Sequence, residues 1–108
     1  MSDISEEFKN VTITKSANVY FDGGVTSRTI KFNNGEVKTL GMMQPGEYQF
    51  NTDKKEIMEI LLGEVDVLLP DQTEWQHFTA GDTFEVKANA SFSINALSLT
   101  DYCCSFVD

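Results

Sequence analysis

Chemistry on small polar molecules draws on cations, carboxylates, imidazoles, thiols and hydroxyls, and this sequence supplies them unevenly. Arg28 is the only arginine among eight cations, so it is the only planar fork able to grip a phosphate through two parallel hydrogen bonds. Ile30 and Phe32 share its side of an alternating segment, and that apolar company predicts that the Arg28 face lines an interior. Lys38 follows on the returning segment and is expected beside it, whereas Lys54 and Lys55 fall in a polar turn and read as solvated. His77 is the single imidazole; no acid stands in an obvious register with it, and it reads as partly exposed. Cys103 and Cys104 are adjacent. Neighbours on a strand point to opposite faces, so a bond between them would be strained. With one histidine they cannot complete a four-ligand zinc site in one chain, and they read as small core hydrophobes. Ser27, Ser93, Tyr102 and Tyr20 are the hydroxyl residues expected on inward faces.

The balance of charge narrows the classes further. Seventeen acidic residues against eight basic ones give a net charge of −9. Such a surface repels phosphate backbones, so a nucleic-acid polymer is excluded as partner. No apolar run approaches the roughly 18–20 residues of a membrane span, and Met1–Lys9 has no basic leader character. A soluble cytoplasmic protein is expected. With 108 residues and 41% hydrophobic composition, one domain around one core is the natural count.

The elements that must position these groups are short strands. Residues 1–9 are polar and acidic and read as a flexible arm, and residues 10–108 as one β domain. Val11–Ile13, Val19–Phe21, Val25–Phe32, Glu36–Met43, Tyr48–Phe50, Val65–Leu69, Trp75–Phe78, Phe84–Val86, Ser91–Leu97 and Tyr102–Val107 favour strand. Turn signals at Asp22-Gly23-Gly24, Asn33-Asn34-Gly35, Gln44-Pro45-Gly46, Pro70-Asp71 and Gly81-Asp82 punctuate them, a spacing typical of a sandwich or barrel. Lys54–Leu62 stands apart. It is rich in helix formers, with a capping-box pair at Asp53 and Glu56 and a stop at Gly63, so local rules alone leave helix and strand open.

Glu56-(six residues)-Gly63 and Gly81-(five residues)-Lys87-x-Asn89-x-x-Phe92 resemble the two halves of the cupin signature. The resemblance implies an all-β, single-domain, cupin-like antiparallel β-barrel of jelly-roll type, and it turns Lys54–Leu62 into strand. The first half of the signature normally opens on His-x-His, where this chain has Tyr48-Gln49-Phe50-Asn51; the second carries a histidine where it has Phe92. Of the usual metal ligands only Glu56 has a counterpart, so a three-histidine metal site cannot be built. By the same resemblance Glu56 points into the barrel. Tyr48, Phe50 and Phe92 stand where imidazoles would be, as barrel plugs or as a pocket for a flat ring.

A narrower resemblance follows from Asn18-x-Tyr20-Phe21-x-Gly23-Gly24-Val25-x-Ser27, Pro45-Gly46-Glu47-Tyr48-x-Phe50-x-Thr52, Val67-Leu68-Leu69-Pro70-Asp71-x-x-x-Trp75 and Tyr102-x-Cys104. This ordered set, over residues 17–107, resembles the small cupin-type pyrimidine/purine nucleoside phosphorylases. It implies an enzyme that takes phosphate as co-substrate, needs no cofactor, releases free base and ribose 1-phosphate, and works as a homodimer. Such a reaction needs phosphate held near C1′ of the sugar, acceptors for the sugar hydroxyls, and a donor for the departing base. Glu56 is then the candidate catalytic residue. Arg28, Ser27, Lys38, Tyr48, Phe50, Phe92, Ser93 and Tyr102 are the candidate substrate-binding residues. The competing expectation is a non-catalytic, metal-free cupin that binds a small ligand or a protein partner, favoured by the shortage of cations.

Overall fold

A computed structural model describes residues 6–108. Among the described residues eleven strands follow one another: β1 Val11–Ile13, β2 Asn18–Tyr20, β3 Val25–Phe32, β4 Val37–Met43, β5 Gly46–Asn51, β6 Lys55–Leu62, β7 Glu64–Leu68, β8 Gln76–Thr79, β9 Thr83–Val86, β10 Ser91–Ala96 and β11 Thr100–Val107. One 3-10 turn, Phe21–Gly23, joins β2 to β3. Among the described residues the strands form two antiparallel sheets. The larger runs β1-β3-β4-β11-β6-β9, with β2 also on β3, and the smaller runs β5-β10-β7-β8. The all-β cupin-like expectation holds, with one refinement: hydrogen bonding does not continue from sheet to sheet, so the barrel is open and sandwich-like. No helix among the described residues is long and apolar enough to cross a membrane.

Alternation decides what each strand buries. Val25, Met43, Met58 and Ile60 of the large sheet meet Val65, Val67, Phe92 and Ile94 of the small one in a single core cluster. Each such side chain, fully removed from water, contributes roughly 1.5–3 kcal/mol.

Residues 55–62 are strand β6. Their helix propensities differ from those of other ordinary residues by at most about 0.7 kcal/mol each, and two ladders override them: β11 pairs on one side and β9 on the other. Gly63, which locally reads as a helix stop, makes the tight passage into β7. Its φ is +92°, and a Cβ there would lie 2.5 Å from the Leu99 carbonyl oxygen.

The large sheet has two differently covered faces. Val25 and Ser27 on β3, Thr39, Gly41 and Met43 on β4, and Tyr102 and Cys104 on β11 point inward. Thr26, Arg28, Ile30 and Phe32 share a face as expected, but it is the opposite one. There Phe8 packs edge-on against Phe32 with ring centroids 5.0 Å apart, and the Lys38 ammonium lies 5.4 Å from the Phe8 ring and 5.5 Å from Phe32. Of the expected arm, residues 1–5 lie outside the described residues, while Phe8 is packed on the sheet.

Candidate functional site

The inward face of the large sheet and the Phe50–Phe92 wall of the small one enclose a cavity of about 460 Å³, within the usual range of small-molecule sites. Its floor is laid in rows by strand register. Ser27, Gly41 and Tyr102 are opposite one another across β3, β4 and β11. Thr39, Cys104 and Met58 form the next row, and Val37, Phe106 and Glu56 the third. Phe50 and Phe92 are direct cross-strand partners, their rings stacked with centroids 5.8 Å apart. Tyr20 stands at the mouth, edge-on to Phe50 at 6.1 Å, with Asn51, Asp53 and Lys54 beside it on the rim.

Glu56 is the ionisable group whose surroundings alter it most usefully. It is half-buried, and loss of water pushes its pKa above the ordinary 4.5; the Cys104 thiol works against that shift and the Asp53 charge adds to it. The Cys104 Sγ donates to Glu56 Oε1 at 3.5 Å. Burial also raises the Cys104 thiol, and the adjacent Glu56 raises it further, so it stays protonated. The Tyr102 phenol is raised chiefly by burial and keeps its proton too. The floor is thus a set of neutral O–H and S–H groups around one carboxyl whose pKa burial has raised.

Five of the nine sequence candidates meet here: Glu56, Ser27, Phe50, Phe92 and Tyr102 line the cavity. Four do not. Arg28 is exposed on the outer face, where its Nη1 donates to the Lys15 carbonyl at 2.8 Å, and it borders a separate shallow hollow with Leu40 and Asp101. Lys38 lies over Phe8 and Phe32 on that same face. The apolar company that marked the Arg28 face as interior is real, but the N-terminal segment covers it, not the cavity. Ser93 occupies the outward alternation of β10, between inward Phe92 and Ile94. Tyr48 shares the Phe50 face of β5 but is engaged outside the cavity lining: its hydroxyl donates to the Gln44 carbonyl at 2.8 Å, and its ring packs against Phe21 at 5.0 Å.

Other features escaped the sequence reading. An ideal Cβ at Gly41 would lie 2.5 Å from both the ring and the hydroxyl of Tyr102, so only glycine lets that ring lie flat over β4. An isolated glycine inside an alternating strand is the signal for such a close approach. Lys54 is the cation among the lining residues, and it is tied at 2.8 Å to Asp108 in an exposed ion pair. His77 is not without acids: Nδ1 lies 2.7 Å from Asp66 Oδ1 and Nε2 lies 3.1 Å from Glu64 Oε2. That trio sits exposed between β7 and β8, away from the cavity. The Asp66 hydrogen bond is the main cause of the raised His77 pKa. Among the described residues no group of three or more His, Cys, Asp or Glu is placed to hold a metal ion.

Fold and cavity define a cupin-like all-β protein with an internal site. A likeness to an RmlC-like cupin from Shewanella frigidimarina, TM-score 0.68 at 18% identity over 97% of this chain and 90% of that one, supports the fold. A protein of unknown function from Acinetobacter sp. ADP1 superposes with TM-score 0.92 at 40% identity, covering 95% of this chain and all of that one. The family profile described as pyrimidine/purine nucleoside phosphorylase matches residues 15–106. A relative of that name from Geotalea uraniireducens is 62% identical over 102 residues, 94% of this chain and 98% of the relative. Another from Geobacter sulfurreducens is 60% identical over 101 residues, 94% and 97% of the two chains. The chain belongs to the pyrimidine/purine nucleoside phosphorylase family.

Proposed function

We propose that this protein is a nucleoside phosphorylase. It transfers the pentosyl group of purine and pyrimidine nucleosides to phosphate, releasing free base and ribose 1-phosphate. One observation carries the reading: every residue lining the cavity falls within the stretch matched to the family, residues 15–106. In the reaction the C1′–N bond breaks, its electron pair leaves with the base, and a phosphate oxygen bonds C1′. The raised pKa of Glu56 suits it to donate a proton to the departing base. The stacked Phe50 and Phe92 rings offer a surface that any nucleobase can lie against, which fits broad base tolerance. Ser27 and Tyr102 offer hydrogen bonds to sugar or phosphate, and Lys54 is the cation nearest to hand. Phosphate is the co-substrate, with no metal or organic cofactor. The enzyme works in the cytoplasm as a homodimer.

A second reading, a non-catalytic cupin that holds a small ligand, is favoured by the poverty of cations around the cavity. One experiment separates them. Purified protein should release uracil or adenine from uridine or adenosine only with phosphate present, EDTA should leave that release intact, and gel filtration should give a dimer-sized peak. Absence of base release, or equal release in phosphate-free buffer, leaves the binding reading standing instead.

A further inference from the structure

The cavity poses a charge problem. Negative charge develops on the base and is carried by phosphate, yet Arg28 and Lys38 lie on the other face of the sheet. Lys54 is the lining cation and is tied to Asp108, so neutral donors must also be aimed at that charge, and a hydroxyl is a donor only if its proton points the right way.

Asn18, on β2, is the cross-strand partner of Ser27. Its Nδ2 donates to Ser27 Oγ at 3.1 Å and to Thr29 Oγ1 at 3.2 Å. An amide nitrogen only donates, so Ser27 Oγ is the acceptor in that bond. Ser27 is 4% exposed, and its own proton must find an acceptor or stay buried and unmatched, at a cost of about 1–3 kcal/mol. Across β4 stands Gly41, and beyond it Tyr102. Because Gly41 has no Cβ, the Tyr102 ring lies over β4 with its hydroxyl where that Cβ would be, which brings the phenol oxygen back toward Ser27. In keeping with that approach, the Ser27 hydroxyl acts on the Tyr102 phenol in the sense of a donor, opposing the rise that burial causes. The arrangement that leaves no proton stranded has Ser27 donating and Tyr102 accepting.

We infer that Asn18 is a positioning residue that fixes the direction of a hydroxyl chain, Asn18 to Ser27 to Tyr102, so that the Tyr102 O–H is left to donate into the cavity. The inference rests on the phosphorylase reading for what receives that bond: a phosphate oxygen or the departing base. Asn18 itself touches neither; it acts through Ser27.

The test is a double-mutant cycle on uridine phosphorolysis. Asn18→Asp keeps the side chain's size but replaces its donor with an acceptor, so Ser27 turns toward it and Tyr102 turns its proton toward Ser27. Turnover should fall about 10- to 100-fold with the KM for uridine within about 3-fold, the pattern of an interaction made mainly in the transition state. Tyr102→Phe should fall comparably. In the Tyr102→Phe background, Asn18→Asp should cost less than about 2-fold more, because residues acting through one bond are not additive. If circular dichroism shows Asn18→Asp unfolded, Ser27→Ala takes its place in the cycle with the same expectation. Full multiplication of the two losses, or a KM effect with turnover preserved, overturns the chain while leaving the phosphorylase reading intact. A wild-type protein that does not turn over removes that reading and this inference together.

Discussion

The two faces of the large sheet are made from alternate residues of the same strands, and Cys103 and Cys104 compare them directly. Both thiols are buried, and burial raises both pKa values. On the outer face the Lys38 charge opposes the shift, and Cys103 reaches about 11. On the inner face Glu56 adds to it, and Cys104 goes higher still. One step along the chain removes the opposing cation: Cys103 feels Lys38 as well as Glu59 and Asp101, whereas Cys104 has Glu56 and no cation to offset it. The outer face holds its cations over aromatic rings and carbonyl oxygens, where they brace the N-terminal segment. The inner face collects neutral donors and one carboxyl around open space. Placing the cations outside leaves the cavity with little positive charge, so on the proposed reading an anion bound there would depend on the orientation of hydroxyls and thiols.

The sharpest way to break this contrast is at Glu56. Glu56→Gln should reduce phosphorolysis by about 10²- to 10⁴-fold, the span expected for a lost general acid, measured as initial rates of base release. Its stability should change in the opposite sense at neutral pH. The folded protein keeps the Glu56 proton above pH 4.5, where the unfolded chain gives it up. Wild type therefore loses stability as pH rises from 4.5 through the raised value. Thermal melts should show Glu56→Gln gaining on wild type as pH rises above 4.5. A constant difference across that range would mean the carboxyl is not held protonated by the fold.

Gly41→Ala tests the floor itself. The new methyl meets the Tyr102 ring and the Thr26 carbonyl oxygen, both at 2.5 Å. Overpacking of this kind costs about 1–3 kcal/mol, visible as a lower denaturant midpoint, and turnover should fall because Tyr102 must lift off β4. Unchanged stability together with unchanged rates would remove Tyr102 from the site. The smallest effect belongs to the outer face. Arg28→Ala should leave turnover within about 2-fold and stability within about 0.5 kcal/mol, as for an exposed residue away from special features. A large rise in the KM for phosphate would restore Arg28 as the phosphate clamp and erase the distinction between the faces.

The strand succession, the turns, and the inward positions of Glu56, Ser27, Phe50, Phe92 and Tyr102 could be read from the sequence, partly by alternation and partly by resemblance. Which side of β3 faces the cavity could not. Alternation shows that Arg28, Ile30 and Phe32 share a covered face, but not what covers it; Phe8, far away in sequence, does. His77 was separated from its acids for a similar reason. Asp66 is its partner only through the β7–β8 register, which no local pattern reveals. Residues 54–62 show the converse: local rules were legible there but lost to two flanking ladders, a tertiary override of propensity.

The position of β11 has a consequence for how the protein is made. It is the latest of these strands to leave the ribosome, yet it lies in the middle of the large sheet, between β4 and β6. Until Thr100–Val107 emerges, those two neighbours present unpaired edges to each other and to other nascent chains. Tyr102, Cys104 and Phe106 arrive with it, so no half-built site can form in advance. Translation must pass Val107 before the sheet can close, and a chain stopped short of β11 is an aggregation hazard with no residual activity.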